Sequence, residues 1–152
     1  MDKIIIWGAT GQAVVMEELL SHYNIKIEAL FDNDMSVDSP IPRVPIYYKK
    51  SGFKKWLSGV ENKKDYYFII AIGGNNGSVR RKLGKMLESE GLNPYTAIHP
   101  SAFVAKNVII GKGVQILANS SICAKACLND FVIINTSASI DHECFIGSGV
   151  HI

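Results

Sequence analysis

His142 stands between two carboxylates, Asp141 and Glu143. Imidazole titrates near neutral pH, so it can take a proton from an amine or hydroxyl as that group attacks a carbonyl. A neighbouring carboxylate would hold the ring in one tautomer, and both acids qualify. Adjacent side chains tend to point apart, so the choice between them stays open; Glu143 is carried beside His142 as the candidate catalytic pair. A lone histidine in a polar turn is more often simply solvated, and the case for chemistry depends on what surrounds it. Another imidazole, His151, lies nine residues on.

Two glycine-rich segments offer a different chemistry. Gly8-Ala9-Thr10-Gly11 follows the apolar run Lys3 to Trp7 and precedes Ala13, Val14, Met16, Leu19 and Leu20 at helical spacing. Strand, glycine turn and helix together place free N–H groups at a helix start, where an anion is stabilised. This is Gly-x-x-Gly and not the full dinucleotide fingerprint. The second segment, Gly73-Gly74-Asn75-Asn76-Gly77, closes the apolar run Tyr66 to Ile72. Two such ends on one parallel sheet would define a ligand crevice at its carboxyl edge. Asp32, after a strand expected over Ile25 to Phe31, stands where such folds contact ribose hydroxyls. The binding candidates here are Gly8, Thr10, Gly11, Gln12, Asp32, Gly73, Gly74 and Asn75.

The elements that position these groups fall into two kinds. The proline-rich segment Ser39 to Pro45 excludes a helix, Phe53 to Leu57 reads as a short helix, and Glu61 to Asp65 as a charged loop. Val79, Leu83, Met86 and Leu87 form a helical stripe that ends at Gly91. Arg80, Arg81, Lys82 and Lys85 surround it and read as a solvated face, with Arg80 or Arg81 near enough to the helix start to reach a phosphate. Pro94 to Ile98 reads as a last strand, with the repeat beginning at His99-Pro100-Ser101. This gives a Rossmann-like α/β domain over 1–98, an open parallel sheet with helices on both sides.

From 99 to 152 the pattern changes. Every sixth residue from Val104 is aliphatic: Val104, Ile110, Ile116, Ile122, Leu128, Ile134, Ile140, Ile146 and Ile152. Two residues earlier runs a row of small or aliphatic residues: Ala102, Val108, Val114, Ser120, Ala126, Val132, Ala138, Cys144 and Val150. Neither a helix nor a simple strand keeps that beat. A hexapeptide β-solenoid does. Glycine, asparagine and aspartate at 111, 113, 119, 129, 130, 147 and 149 mark its corners. If a coil is three hexads, the nine residues from His142 to His151 are half a circuit. The two rings then face opposite sides of one chain and share a site only across a subunit boundary.

Composition excludes other classes. The chain has 152 residues, is 47% hydrophobic and 20% charged, and carries a net charge of +2, which gives no basic surface for nucleic acid. No apolar run reaches the roughly eighteen residues of a membrane span. The start, Met1-Asp2-Lys3 before Ile4 to Trp7, is too short for a signal peptide. Cys123, Cys127 and Cys144 have no metal-type spacing. Cys144 belongs to an inward row. No metal is expected, and a reducing cytoplasm fits.

Several segments together resemble one family. They are Ile6-Trp7-Gly8-Ala9-Thr10-Gly11, Asp32, Ala71-Ile72-Gly73-Gly74-Asn75, Ile98-His99-Pro100-Ser101-Ala102, and Asn135-Thr136-Ser137 through Asp141-His142-Glu143-Cys144. The chain resembles the bacterial hexapeptide-class sugar acetyltransferases that carry an N-terminal nucleotide-sugar domain. These include UDP-4-amino-sugar N-acetyltransferases and sialic acid O-acetyltransferases. The resemblance implies a left-handed parallel β-helix, a homotrimer, UDP-sugar held by the α/β domain, and acetyl-CoA held along the solenoid between subunits. It implies His142 as general base, with Asn135 and His151 near the acceptor sugar. The expected reaction moves an acetyl group from acetyl-CoA to an amine of a UDP-linked sugar in surface glycan biosynthesis. The alternatives are sugar O-acetylation and a non-catalytic nucleotide-sugar-binding trimer. Two departures stand out. Gln12 replaces a histidine common in the family, so that position cannot serve as acid or base. Coils counted over Ala102 to Asn119 and Ser120 to Ser137 leave a third, from Ala138, unfinished at Ile152. The expected β-helix is therefore incomplete at the C-terminus.

Overall fold

The computed structural model describes residues 3–152. Met1 and Asp2, where the reading of the chain's start begins, lie outside the described residues. The chain forms two compact units, one of residues 1–72 and 86–94, the other of 73–85 and 95–152.

The first unit is built on a five-stranded parallel sheet. Its strands are β1 (Lys3–Trp7), β2 (Ile27–Asp32), β3 (Ile46–Tyr48), β4 (Tyr66–Ile70) and β5 (Asn93–Pro94), in the order β3-β2-β1-β4-β5. Isoleucines 4 to 6 are fully buried, as expected of a parallel strand covered on both faces. The strand order reverses between β1 and β4, and ligands favour the carboxyl edge at such a point. An aromatic cluster supports this region: Trp7 stacks on Phe31 at 5.6 Å, and Phe53 and Trp56 meet the Phe31 ring edge-on, each at 5.3 Å.

Helix α1 (Gly11–Ser21) buries Ala13, Met16, Leu19 and Leu20. Val14 was expected on that stripe but is 43% exposed; Ala13, Met16 and Leu20 already define the face by their three- and four-residue steps. Helix α2 (Lys49–Leu57) starts four residues before the expected Phe53, since its first turn is polar and carries no apolar period. A short 3₁₀ turn over Lys63–Asp65 sits in the expected charged loop, capped by the Asn62 side chain, which accepts from the Lys64 N–H.

The second unit contains the repeat. Its strands are two residues each: β6 (Ala97–Ile98), β7 (Phe103–Val104), β8 (Ile109–Ile110), β9 (Gln115–Ile116), β10 (Ser121–Ile122), β11 (Cys127–Leu128), β12 (Ile133–Ile134), β13 (Ser139–Ile140) and β14 (Phe145–Ile146). They form three three-stranded parallel sheets, β13-β10-β7, β14-β11-β8 and β12-β9-β6. Paired residues such as Ile122 and Ile140 are eighteen apart, three hexads. The single strand expected over Pro94 to Ile98 is therefore two. Pro94 ends β5 beside β4, while Ala97 and Ile98 pair with β9. Ile98 is six residues before Val104, so the beat starts one hexad earlier than expected.

Both inward rows form one core. Val114, Ile116, Ile122, Ala126, Leu128, Val132, Ile134 and Ile140 are buried, and Ala102, Val104, Val108, Ile110, Ala138, Cys144 and Ile146 pack against them partly buried. Ser120 is buried in the same row and satisfies its hydroxyl by donating to the Leu117 carbonyl at 2.7 Å. Val150 and Ile152 remain exposed at the edge of the described repeat.

The corners have their own six-residue register. Gly113, Asn119, Lys125, Phe131, Ser137, Glu143 and Gly149 all have positive φ, between 56° and 76°. A residue with a Cβ pays about 1–2 kcal/mol in that conformation, so Lys125, Phe131, Ser137 and Glu143 are held there by the repeat itself.

Helix α3 (Gly77–Ser89) begins in the second unit. Its expected apolar stripe is shifted. Val79 is 40% exposed, whereas Arg80, expected on a solvated face, is 1% exposed. A Cβ on Gly84 would run into the Phe131 ring, so the helix approaches this corner only because residue 84 has no side chain.

Candidate functional site

His142 lies in the corner between β13 and β14. Its ring is 68% exposed, and Nδ1 stands 3.3 Å from Oε2 of Glu143. Asp141 is occupied elsewhere: its Oδ1 accepts the His142 backbone N–H at 2.7 Å. The two acids left open by the sequence thus have different partners, one the ring and one the backbone. Adjacent side chains were expected to diverge. Glu143 meets the ring because its backbone is left-handed, with φ of 58°, which changes the direction of its Cβ. Lys125 Nζ is 3.8 Å from the other Glu143 oxygen. All of these groups are solvated, so each ion pair is weak. With the carboxylate on Nδ1, the proton of the neutral ring belongs there, and Nε2 keeps the lone pair a base needs.

His151 is set differently. It bridges to Ile133, the first residue of β12, so it belongs to the sheet β12-β9-β6, while the His142 corner joins the other two sheets. The polar contacts of the two rings have no residue in common. Nδ1 of His151 accepts the Gly74 N–H at 2.7 Å. Burial pushes the His151 pKa below the ordinary imidazole value, and the nearby Arg80 cation pushes it the same way.

His151 lines a cavity of about 630 Å³ together with Gly74, Asn75, Ser78, Arg81 and Ser148. The second glycine segment and His151 are therefore brought together. A Cβ on Gly73 would touch the His151 ring at 3.4 Å. Gly77 packs directly on Gly149, where a Cβ on either would overlap the other's backbone. Of the two arginines read as able to reach a phosphate, Arg81 lines this cavity. Arg80 is committed to backbone carbonyls: Nε donates to Phe131 O at 3.3 Å, Nη1 to Gly74 O at 3.2 Å and Nη2 to Gly149 O at 2.5 Å. Nothing in the sequence distinguishes Arg80 from Arg81 and Lys82 except its step of three from Leu83. Asn135 is exposed after β12; its Oδ1 accepts the Thr136 N–H at 2.9 Å.

The first glycine turn lies at the carboxyl end of β1. Gly8 has a φ of 103°, and a Cβ there would collide with the Ala71 carbonyl, so only glycine fits. Gly11 opens α1 with open space where its side chain would be. Thr10 is the residue before the helix and makes no side-chain cap, and Gln12 is half-buried in the first turn. Asp32 was read as a ribose contact. Here its Oδ2 accepts the Ala9 N–H at 2.8 Å and its Oδ1 the Asp34 N–H at 2.9 Å, so the carboxylate braces the turn. A carboxylate has further lone pairs, and these two bonds leave capacity for a ligand hydroxyl.

A parallel α/β sheet with a glycine turn at its switch point, in one chain with a six-residue repeat that carries an exposed histidine–glutamate pair, defines a narrow class of protein. Residues 3–87 match the family described as the PglD N-terminal domain, and the chain belongs to that family. It is 31% identical over 127 residues to the UDP-N-acetylbacillosamine N-acetyltransferase of Bacillus subtilis (strain 168), an alignment covering 78% of this chain and 52% of the relative. The chain spans about half the length of the curated relatives it matches. The crystal structure of PerB from Caulobacter crescentus, in complex with CoA and GDP-perosamine, superposes with a TM-score of 0.81 at 31% identity, covering 99% of this chain and 68% of that one. The acetyltransferase domain of PglB from Neisseria gonorrhoeae, in complex with acetyl coenzyme A, gives a TM-score of 0.79 at 26% identity, covering 98% and 69%.

Proposed function

We propose that this protein transfers an acetyl group from acetyl-CoA to the amine of a nucleotide-linked sugar, a UDP-sugar in the leading form, within bacterial surface glycan biosynthesis. The observation that carries the reading is the His142–Glu143 pair on the repeat, with Nδ1 at 3.3 Å from the carboxylate. In the proposed step Nε2 of His142 takes a proton from the sugar ammonium or attacking amine. The amine nitrogen adds to the thioester carbonyl, the carbon–sulfur bond breaks, and the departing CoA thiolate takes its proton from the His142 imidazolium. The names of the relatives support an N-linked acetyl acceptor, since those aligned are N-acetyltransferases of UDP- and GDP-linked sugars.

The functional division follows the sequence reading, with nucleotide-sugar binding in residues 1–98 and acetyl transfer in 99–152. Gly8, Thr10, Gly11, Gln12, Asp32, Gly73, Gly74 and Asn75 contact the nucleotide sugar, and Asn135 and His151 the acceptor end. The solenoid is a left-handed β-helix. The active site is completed by neighbouring subunits of a homotrimer, because His142 and His151 belong to different sides of one chain. Exposed apolar residues support a buried interface: Ile109 is 66% and Phe145 72% exposed, both flanking Cys127 on the outer face of one sheet. A reaction that draws on acetyl-CoA and a nucleotide sugar places the protein in the cytoplasm. No described helix is long and apolar enough to cross a membrane.

Calorimetric titration with a UDP-4-amino sugar and, separately, with acetyl-CoA tests the reading. Saturable binding of both is expected. Sugar binding without coenzyme binding would overturn the enzyme reading in favour of a nucleotide-sugar-binding protein, and binding of neither would overturn both.

A further inference from the structure

Arg80 is the largest polar side chain in the core of the second unit, and the chemistry proposed above makes no use of it. Its guanidinium ties together three backbone segments: the corner at Phe131, the loop at Gly74 and the corner at Gly149. The Gly74 residue is held from both sides. Its carbonyl accepts from Arg80, and its N–H donates to Nδ1 of His151. The Gly149 carbonyl is held by the same guanidinium two residues before His151. Gly77, three residues before Arg80, packs against Gly149 with no room for a side chain. The loop, the helix start and the histidine are thereby fixed to one another by a single planar fork.

We infer that Arg80 is a positioning residue that presents His151 as a preset hydrogen-bond donor to an acceptor oxygen of whatever ligand fills the cavity lined by His151, Asn75 and Arg81. The Gly74 N–H is a donor, so Nδ1 must be unprotonated to accept it. The neutral ring then carries its hydrogen on Nε2. The bond to Gly74 thus ties the ring to the tautomer with an unprotonated Nδ1. Among the described residues, buried Arg80 and cavity-lining Arg81 bring cations near the ring, and no acidic side chain lines the cavity. Burial and the Arg80 cation both favour the neutral ring. Lysine at position 80 would keep a charge but could not hold three carbonyls in one plane. His142 has the opposite arrangement, with its hydrogen drawn to Nδ1 by Glu143. One imidazole is thus prepared to accept a proton and the other to donate a hydrogen bond. Only the identity of the ligand rests on the proposed function; the ring geometry does not.

The test is nitrogen-15 NMR of the full chain, without ligands. In the wild type the His151 ring should show the Nε2–H pattern, and the Arg80 Nε–H should exchange slowly with water. A Nδ1–H pattern, an equal mixture, or a rapidly exchanging Arg80 Nε–H overturns the inference without any variant. In Arg80→Met the His151 midpoint should rise toward the ordinary imidazole value, and the single-tautomer pattern should be lost. In Arg80→Lys the midpoint should stay low while the tautomer selection is lost, which separates positioning from charge. A folded Arg80→Lys that keeps the wild-type ring pattern refutes the positioning role. If neither variant folds, the wild-type ring pattern and exchange rate decide. A protein inactive in acetyl transfer but with the expected ring pattern overturns the proposed function alone. An active one with a Nδ1–H ring overturns this inference alone.

Discussion

Phe131 occupies a position that tests the repeat and its corners at once. Its backbone is left-handed, with φ of 57°, yet its ring is 4% exposed and fills the space left by Gly84 and Gly113. Phe131→Ala removes a buried ring that neighbours cannot easily replace, a loss of about 3–5 kcal/mol. That is a large share of the roughly 5–15 kcal/mol by which a domain is stable. Phe131→Gly makes the same cavity and loses one more methyl. In ordinary extended or helical structure glycine would be worse than alanine by about 0.5–1 kcal/mol. Here alanine keeps the left-handed cost of about 1–2 kcal/mol, and glycine escapes it. The glycine variant should therefore be at least as stable as the alanine variant. Both tryptophans, Trp7 and Trp56, lie in the first unit, so their fluorescence is a poor probe. Amide exchange of Gln115 and Leu117 is a direct one, since their N–H groups donate to Val132 O and Ile134 O at 2.9 Å. At about 1.4 kcal/mol per decade, exchange in Phe131→Ala should accelerate by roughly two to three and a half decades. Acceleration under about one decade would refute the core role of the ring. Faster exchange in Phe131→Gly than in Phe131→Ala would refute the account of the corners.

Other outcomes follow from single contacts. Gly77→Ala should destabilise the second unit, because the new Cβ would overlap the Gly149 backbone; unchanged amide protection at Gln115 would contradict this packing. Asp32→Ala should cost about 1–3 kcal/mol by leaving the Ala9 and Asp34 N–H groups without their carboxylate. Urea unfolding followed by tryptophan fluorescence suits this case, since Trp7 is next to the turn. His151 has a lowered folded pKa, so the unfolded chain binds its proton more readily. Stability should therefore fall as pH drops through the unfolded value near 6.5, with the loss complete below the folded pKa. His151→Gln should remove that part of the difference between about pH 8 and about pH 5. An identical pH dependence in the variant would show that His151 is not its source.

The solenoid was legible because its two inward rows are written in residue type alone. Ile116, Ile122, Leu128 and Ile134 repeat the same choice at the same place in each hexad, and each is buried. The corners were only half legible. Gly113, Asn119 and Gly149 are residues that favour positive φ, but Lys125, Phe131, Ser137 and Glu143 are not, and the conformation there is imposed by the strands on either side. That is also why Glu143 could not be chosen over Asp141, since the choice depends on a backbone angle its residue type does not announce. Ile98 belongs to the beat but was hidden by Pro94, which made one strand of two. The burial of Arg80 is hidden from the sequence for a related reason. A cation at a helix start reads as solvated, and what buries it is a set of carbonyls from corners about fifty and seventy residues away. In the first unit the glycine turn at Gly8 was clear, while the engagement of Asp32 with Ala9 could be learned only from the fold.

His142 is proposed as the base for acetyl transfer to a nucleotide-linked amino sugar. Release of thiol from acetyl-CoA, dependent on a UDP- or GDP-linked amino sugar, tests it in one assay when the wild type is compared with His142→Ala. Sugar-dependent thiol release is expected of the wild type, and a kcat lower by about 10²–10⁴ in the variant. Equal turnover by the two proteins would contradict it.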